Sequence, residues 1–186
     1  MQRAIFLDRD GTIIDNLGDL GDPAEVTLIP GAAGGMRKLV EAGWVLVVVT
    51  NQGGVARGAF TEDDIATVHV RIDELLGEGL VSRYYHCPFH PEGSVDTFCR
   101  EHPDRKPSPG MLQRAATDFS LDLAASWMIG DTSRDILAGQ GAGCRTIWLT
   151  DGGRVDNDAL PTAYAPDLAA AADLVLAFAE QESGSH

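Results

Sequence analysis

The stretch that decides the fold is AIFLDRDGT at residues 4–12, in which four apolar residues run directly into two aspartates. The apolar run, 4–7, is too short for a helix and has the composition of a buried strand. Asp8 and Asp10 follow it, and Gly11 lets the chain turn sharply. Two carboxylates this close repel each other unless a cation or a proton lies between them, which favours a site for Mg²⁺. The alternative is a solvated acidic turn at the end of a strand.

Short apolar runs recur along the chain and alternate with longer amphipathic stretches. Further strands are predicted at residues 45–49, 84–86, 127–129, 146–149 and 174–176. Helices are predicted over 32–41, from the acidic start at 61–64, and from the Ser108 cap with first-turn Pro109 through Phe119. This alternation is typical of βα units that build a parallel sheet covered on both faces. The sequence therefore predicts an α/β fold, a Rossmann-like three-layer sandwich with a central parallel sheet.

Polar residues follow the other strong strands at the points where they end. Thr50 and residues 51–53 offer a hydroxyl and amides, which hold phosphate oxygens. Arg105 and Lys106 precede a predicted helix, and cations beside phosphate offset its charge. Asp131 follows the strand at 127–129 and would complete the metal site. Because the carboxyl ends of parallel strands meet at one edge, these groups should lie together with the first two aspartates.

The order and content of these four motifs resemble the haloacid dehalogenase (HAD) superfamily of phosphohydrolases. Four segments look more specifically like the D-glycero-D-manno-heptose 1,7-bisphosphate 7-phosphatases, and histidinol phosphatases share much of the set. The segments are residues 6–13, 48–58, 87–91 and 105–111. Membership of this branch is better supported by these motifs than any one substrate within it.

The resemblance implies a Mg²⁺-dependent phosphatase that removes the 7-phosphate of a heptose bisphosphate through an aspartyl-phosphate. Asp8 is implied to attack phosphorus, while Asp10 protonates the departing oxygen and then activates water. Thr50 and Lys106 are implied to stabilise the phosphoryl group, and Asp8, Asp131 and the Asp10 backbone carbonyl to hold the metal. The alternatives are a histidinol phosphatase, a broader sugar-phosphate phosphatase, and a phosphosugar-binding domain without activity.

Substrate choice is expected to fall to three loops, at residues 16–19, 50–57 and 87–105. The interval from Asp10 to the helix near Gly31 is about 20 residues, too short for the large cap domain that many relatives insert there. Arg105 is the first candidate for binding a remote phosphate, since a guanidinium can do so through two hydrogen bonds; a surface ion pair is the alternative. Asp135 is expected to be a solvated helix acid rather than a support for the site. The other candidate substrate-binding residues are Arg9, Asn16, Asp19, Asn51, Gln52, Gly53 and Thr132.

Heptose bisphosphate phosphatases often carry a zinc loop just before the Arg-Lys-Pro motif, and this chain departs from its pattern. Phe89 falls where the first histidine belongs, and His102 and Asp104 fall where two cysteines belong. An alternative Cys₂His₂ set would suit tetrahedral zinc, although we expect a metal-free loop. That set consists of Cys87, His90, Cys99 and His102.

Composition excludes several other classes of protein. Asp and Glu number 28 against 14 Lys and Arg, a net charge of −14 that disfavours nucleic acid and anionic membranes as partners. No wholly apolar run exceeds six residues, and a transmembrane helix needs about 20. The 3 cysteines cannot form a complete disulfide framework. We expect a cytoplasmic monomer that acts on a small sugar phosphate, with one domain over 1–180 and a frayed tail over 181–186.

Overall fold

The computed structural model describes residues 1–15, 18–77, 79–150 and 159–183. Strands and helices alternate along most of this chain. The strands are β1 (Ala4–Leu7), β2 (Val45–Asn51), β3 (Arg83–Cys87), β4 (Trp127–Gly130), β5 (Arg145–Leu149) and β6 (Ala163–Ala165). The helices are α1 (Ala32–Glu41), α2 (Gly54–Arg57), α3 (Glu62–Leu76), α4 (Gly110–Phe119), α5 (Ser133–Ala142) and α6 (Leu168–Ser183), with a 3₁₀ helix at Pro23–Glu25.

The six strands form one parallel sheet in the order β3-β2-β1-β4-β5-β6. Strands β1 and β4 are buried along their whole length, as expected for strands covered on both faces. Alternate residues of β1 enter different cores: Ile5 packs with α1, α3 and α6, and Phe6 packs with α4 and α5. The predicted Rossmann-like three-layer sandwich is confirmed.

Two local predictions are wrong. Residues 174–176 belong to α6 and not to a strand, because the surrounding sequence is rich in alanine, the strongest helix former, and Ala171, Ala172 and Val175 bury one helical face. The last strand is instead β6, whose three residues carry little hydrophobic pattern. Ser108 does not cap α4; the N-cap position is occupied by Pro109, with no side-chain cap. In contrast, α3 begins at the predicted acidic start, where Thr61 and Asp64 form a capping box.

The carboxyl edge of the sheet is not covered by an inserted domain in the part of the chain that the structure describes. Between β1 and α1, the described residues of 8–31 hold a three-residue 3₁₀ helix as their only helix. Within the described ranges, no helix is both long and apolar enough to cross a membrane.

Candidate active site

The carboxyl ends of β1, β2 and β4 open onto a cleft of about 230 Å³. Asp8 follows β1 directly, Thr50 lies near the end of β2, and Asp131 follows β4. The Asp8 amide donates to the Ile129 carbonyl at 3.0 Å, which extends the β1–β4 pairing to the first aspartate. Eleven of the predicted site residues line this cleft: Asp8, Asp10, Asp19, Thr50, Asn51, Gln52, Gly53, Arg105, Lys106, Asp131 and Thr132. Asn16 lies outside the described residues.

Lys106 lies at the bottom of the cleft, with its side chain only 2% exposed. Its Nζ donates to the Val49 carbonyl at 2.8 Å and forms ion pairs with Asp8 Oδ1 at 2.8 Å and with Asp135 Oδ1 at 2.6 Å. Asn51 fixes the backbone on either side of this lysine: its Oδ1 accepts from the Lys106 amide at 3.0 Å, and its Nδ2 donates to the Lys106 carbonyl at 2.9 Å. The ammonium is therefore held in one place by strand β2.

Three carboxylates converge beside this ammonium. Asp8, Asp131 and Asp135 each offer an oxygen, and the three oxygens lie within 4.8 Å of one another. Burial, and then the charge of Asp135, raise the pKa of Asp8 to about 7 and that of Asp131 to about 6. Asp131 Oδ1 is buried without a hydrogen-bond partner among the described residues. Clustered oxygen ligands, excess negative charge and an unpartnered carboxylate oxygen all fit a hard divalent cation such as Mg²⁺.

The structure corrects the expectation for Asp135. Its side chain is fully buried, and Oδ2 accepts from the Thr132 amide at 3.0 Å and from the Thr132 hydroxyl at 2.7 Å. Asp135 therefore joins the first turn of α5 to Lys106, and is not a solvated helix acid. No distinctive sequence pattern marks Asp135, which lies two residues after a serine and four after Asp131. Only its ion pair with Lys106 identifies it as part of the site.

A second network surrounds the Asp10 carboxylate. Gln52 Nε2 donates to Asp10 Oδ2 at 2.8 Å, and the Thr50 hydroxyl donates to the same oxygen at 3.3 Å. Arg9 donates from Nη2 to Asp10 Oδ1 at 3.0 Å, and from Nε to both oxygens at 3.1 and 3.2 Å. The Asp10 side chain remains 15% exposed and lines the cleft.

Arg9 was predicted to bind substrate, and its position does not allow it. The side chain is fully buried, lies outside the lining of the cleft, and directs its guanidinium at Asp10 and Gln52. Successive residues of an extended chain point to opposite sides, so Arg9 lies beneath the surface that Asp8 and Asp10 present. Its contacts are with the site residues themselves.

Gly11 makes the turn after Asp10 and leaves room for Asp131. Its φ of +82° is in the left-handed region, and its amide donates to the Ile14 carbonyl at 2.8 Å. A Cβ at this position would lie 2.1 Å from Asp131 Oδ2. Glycine is therefore required at this position for two reasons. The backbone has a positive φ, and any side chain would collide with Asp131, a candidate metal ligand.

The mouth of the cleft carries basic side chains, in contrast to its acidic bottom. A Cβ placed on Gly53 would lie 3.1 Å from Arg57 Nη1, 3.1 Å from His90 Cδ2 and 3.6 Å from Arg105 Nη1, so these three side chains converge on one point. Arg134 lines the same cleft. Burial, followed by the charges of Arg105 and Arg57, lowers the pKa of His90. We call Arg57, His90, Arg105 and Arg134 the rim, and Asp8, Asp10, Lys106, Asp131 and Asp135 the floor.

Sequence reasoning found only part of the rim. Arg105 was predicted, and its Nη1 donates to the Phe89 carbonyl at 3.1 Å. Arg57 ends the predicted loop 50–57 without having been singled out, and Arg134 was missed, because an exposed arginine on a helix has no distinguishing pattern until the fold brings it to a cleft. Asp19, predicted to bind substrate, forms an ion pair with Arg57, and its Oδ2 accepts from Arg57 Nε at 3.0 Å.

The side chains of Cys87, His90, Cys99 and His102 have hydrogen bonds to the protein backbone rather than a common centre. The Cys99 thiol donates to the Pro91 carbonyl at 3.2 Å, and His102 Nδ1 accepts from the Asp104 amide at 3.1 Å. His102 also stacks on Phe89 with ring centroids 4.3 Å apart. Among the described residues, the only group of three or more Cys, His, Asp or Glu with gathered ligand atoms is the aspartate group of the floor.

Comparison with known proteins finds HAD-like hydrolases and heptose bisphosphate phosphatases. The HAD-hydrolase-like family model matches residues 104–176. The chain is 42% identical over 153 residues to the D-glycero-beta-D-manno-heptose-1,7-bisphosphate 7-phosphatase of Escherichia coli, an alignment that covers 81% of this chain and 80% of that protein.

Two solved structures agree with this result. The D,D-heptose 1,7-bisphosphate phosphatase of B. bronchiseptica, complexed with magnesium and phosphate, is 30% identical with a TM-score of 0.80, over 94% of this chain and 98% of that one. A HAD-like phosphatase of Mesorhizobium loti is 36% identical with a TM-score of 0.80, over 94% of this chain and 87% of that one.

Proposed function

Because the chain belongs to the D-glycero-beta-D-manno-heptose-1,7-bisphosphate 7-phosphatase family of HAD-like hydrolases, we propose that it hydrolyses the 7-phosphate of that sugar bisphosphate. The enzyme is a phosphoric monoester hydrolase, and the family uses Mg²⁺. The single observation that supports the substrate is the division of one cleft into an acidic floor and a rim with three arginines. A molecule with a phosphate at each end could place one phosphate beside the arginines of the rim and the other on the floor, where Mg²⁺ and Lys106 would offset its charge.

Asp8 is the proposed nucleophile. The Arg9 amide donates to its Oδ1 at 2.7 Å, and Lys106 Nζ donates to the same oxygen at 2.8 Å. Among the described residues no hydrogen bond reaches Oδ2, which leaves that oxygen to attack phosphorus. The new Oδ2–phosphorus bond forms as the bond from phosphorus to the sugar oxygen breaks, which gives an aspartyl-phosphate and the sugar.

Asp10 is the proposed acid and base. It gives a proton to the departing sugar oxygen in the first step, and takes a proton from the water that attacks the aspartyl-phosphate in the second. The second step breaks the bond between Asp8 Oδ2 and phosphorus, releases inorganic phosphate and restores both aspartates. Thr50 and Lys106 lie at the same cleft and would stabilise the phosphoryl oxygens.

Asp8, Asp131 and the Asp10 backbone carbonyl are the groups that we propose hold Mg²⁺. The metal would supply positive charge against the phosphoryl oxygens and against the crowded carboxylates. Lys106 supplies one positive charge from the protein side, which is too little for the three carboxylates around it.

The rim favours a bisphosphate over histidinol phosphate. Arg105 and Arg134 present positive charge at the mouth, where the remote end of a bound substrate would lie, and Arg57 lies beside them in an ion pair with Asp19. A second phosphate would be attracted by these groups, and a guanidinium can bind it through two hydrogen bonds. The amine of histidinol phosphate carries a positive charge and would be repelled.

A substrate panel tests this proposal. Phosphate release would be measured with and without Mg²⁺ for both anomers of heptose 1,7-bisphosphate, for heptose 7-phosphate, histidinol phosphate and fructose 1,6-bisphosphate. We expect Mg²⁺-dependent turnover with the highest kcat/KM on a heptose bisphosphate. A higher kcat/KM on histidinol phosphate would reject the proposed substrate, and saturable binding without phosphate release would reject the enzymatic function.

Four further expectations remain predictions: that the Cys/His loop binds no zinc, that the protein is a monomer, that it is cytoplasmic, and that residues 1–180 form one domain. Metal analysis of protein purified with and without chelator tests the first, and near-stoichiometric zinc in both preparations would reject it. Light scattering tests the second.

A further inference from the structure

We propose that Arg9 and Gln52 are positioning residues that brace the Asp10 carboxylate from beneath and hold it in the orientation in which it transfers the proton in both steps. This inference rests on the proposed role of Asp10 and assigns a positioning function to Arg9, which lies outside the lining of the cleft, and to Gln52, which is part of it. It is carried by the hydrogen-bond geometry around Asp10 and by the burial of Arg9.

The brace is a closed ring of hydrogen bonds. Arg9 Nη2 donates both to Asp10 Oδ1 and to Gln52 Oε1, each at 3.0 Å. The amide of Gln52 then donates through Nε2 to Asp10 Oδ2 and to the Thr50 hydroxyl, each at 2.8 Å. With its Oε1 held by Arg9, the amide can present only its NH₂ to the carboxylate. Arg9 and Gln52 therefore fix each other as well as Asp10.

The two carboxylate oxygens of Asp10 accept hydrogen bonds from different sets of donors. Oδ2 accepts from Gln52, from Thr50 and from Arg9, whereas the donors to Oδ1 all belong to Arg9. A carboxylate oxygen has about two lone-pair sites, so these donors occupy both oxygens from the protein side. The plane of the carboxylate is therefore fixed by Arg9, Gln52 and Thr50 together.

The burial of Arg9 indicates that this residue does more than fill space in the core. Its side chain is fully buried, and Asp10 is its only ion-pair partner among the described residues. A buried ion pair is weak evidence for stability, because an apolar group of similar size often stabilises a core as well or better. Burying a charged side chain costs free energy, and this one points at the group that transfers the proton. We therefore attribute its burial to the positioning of Asp10.

The brace makes a specific kinetic prediction, because proton donation matters most for esters with a poor leaving group. A sugar alkoxide needs a proton as the ester bond breaks, whereas p-nitrophenolate leaves without one. In Arg9→Lys and Gln52→Leu, we expect aspartyl-phosphate formation from fructose 1,6-bisphosphate to slow by about 100-fold, the size of a general-acid contribution. Its formation from p-nitrophenyl phosphate should slow by less than about 3-fold, since that ester bypasses the acid.

Single-turnover quench experiments with saturating Mg²⁺ measure this step directly. Because Asp10 is also the base of the second step, the variants should show a burst of p-nitrophenol followed by slow release of phosphate. Gln113→Leu, an exposed glutamine on α4, and Arg114→Lys, whose ion pair with Asp104 lies outside the cleft, are matched controls that should retain wild-type rates. Thermal unfolding by circular dichroism reports whether each variant is folded.

Equal losses on both esters, or no loss on either, would overturn the brace. If Arg9→Lys does not fold, Gln52→Leu carries the same test without altering the buried cation. The proposed function fails separately, if the wild-type protein forms no phosphoenzyme from any ester. If the wild type does form a phosphoenzyme but the variants slow its formation equally from both esters, only the brace is rejected.

Discussion

The floor and the rim of the cleft differ in how firmly their side chains are held. Lys106 and Asp135 on the floor are buried, and each has several partners within the site. Arg57 and Arg134 on the rim are exposed on short or terminal helical segments. Fixed groups favour bond making and breaking, because preorganised charges need no reorganisation during the reaction. Exposed cations can instead adapt to the remote end of a substrate, so the floor is suited to catalysis and the rim to selection.

The strongest test of this division is Asp8→Asn on the floor. Loss of the nucleophile should lower kcat by about 10⁴-fold or more on every ester. The fold should survive, because asparagine Oδ1 can still accept from the Arg9 amide and from Lys106 Nζ, and because one of several crowded charges is removed. Phosphate release and thermal unfolding, measured on the same preparation, check both statements.

Substrate binding provides the control for this variant. Because the rim is unchanged in Asp8→Asn, a bisphosphate should still bind with near wild-type affinity by calorimetry. Turnover within about 10-fold of wild type would be too fast for a protein without its nucleophile, and would assign the reaction to another group.

A second test uses the pH dependence of the floor. Burial and neighbouring charge raise the pKa of Asp131 from 3.8 to about 6, so the metal-free folded state binds this proton more tightly than the unfolded state. The corresponding stability is complete below pH 3.8 and is lost as pH rises through about 6. The loss amounts to about 3 kcal/mol. Without metal, Asp131→Asn should therefore unfold at a higher temperature than wild type at pH 8, and the difference should shrink towards pH 5.

Mg²⁺ should reverse this order of unfolding temperatures. A divalent cation stabilises the ionised carboxylates, so it should raise the unfolding temperature of the wild type more at pH 8 than at pH 5, and that of Asp131→Asn much less. A metal response that is equal at both pH values, or equal in both proteins, would show that Asp131 is not part of the cation site.

The sequence predicted the floor far better than the rim, for a physical reason. Asp8, Thr50 and Asp131 lie at the ends of hydrophobic strands, so their periodicity and position together indicate a common edge. Asp135 was misjudged, since its burial depends on Lys106 arriving from a distant loop. Arg57 lies one helical turn after Gly53, at the end of α2, and its sequence does not show that this turn faces the cleft.

The same reasoning applies to the fold. Strands β1, β2 and β4 contain short apolar runs that are buried by helices on both sides, and their hydrophobicity identifies them. Strand β6 has three residues at the sheet edge, and one of them, Tyr164, is 47% exposed. Its pairing with β5 is decided by the neighbouring strand rather than by its own composition. Tertiary context therefore determined both the weakest strand and the outer part of the site.

The smallest predicted effect concerns the rim and decides whether it selects the substrate. Arg105→Met or Arg134→Met should lower kcat/KM by about 10- to 100-fold on a sugar bisphosphate, the value of a hydrogen bond between charged groups. The same variants should change kcat/KM on the corresponding monophosphate by a much smaller factor, because that substrate has no remote anion. Arg114→Met, which removes an arginine outside the cleft, controls for the change in net charge. Equal losses on both substrates would mean that these arginines act on the reacting phosphate, and the separation between floor and rim would then be wrong.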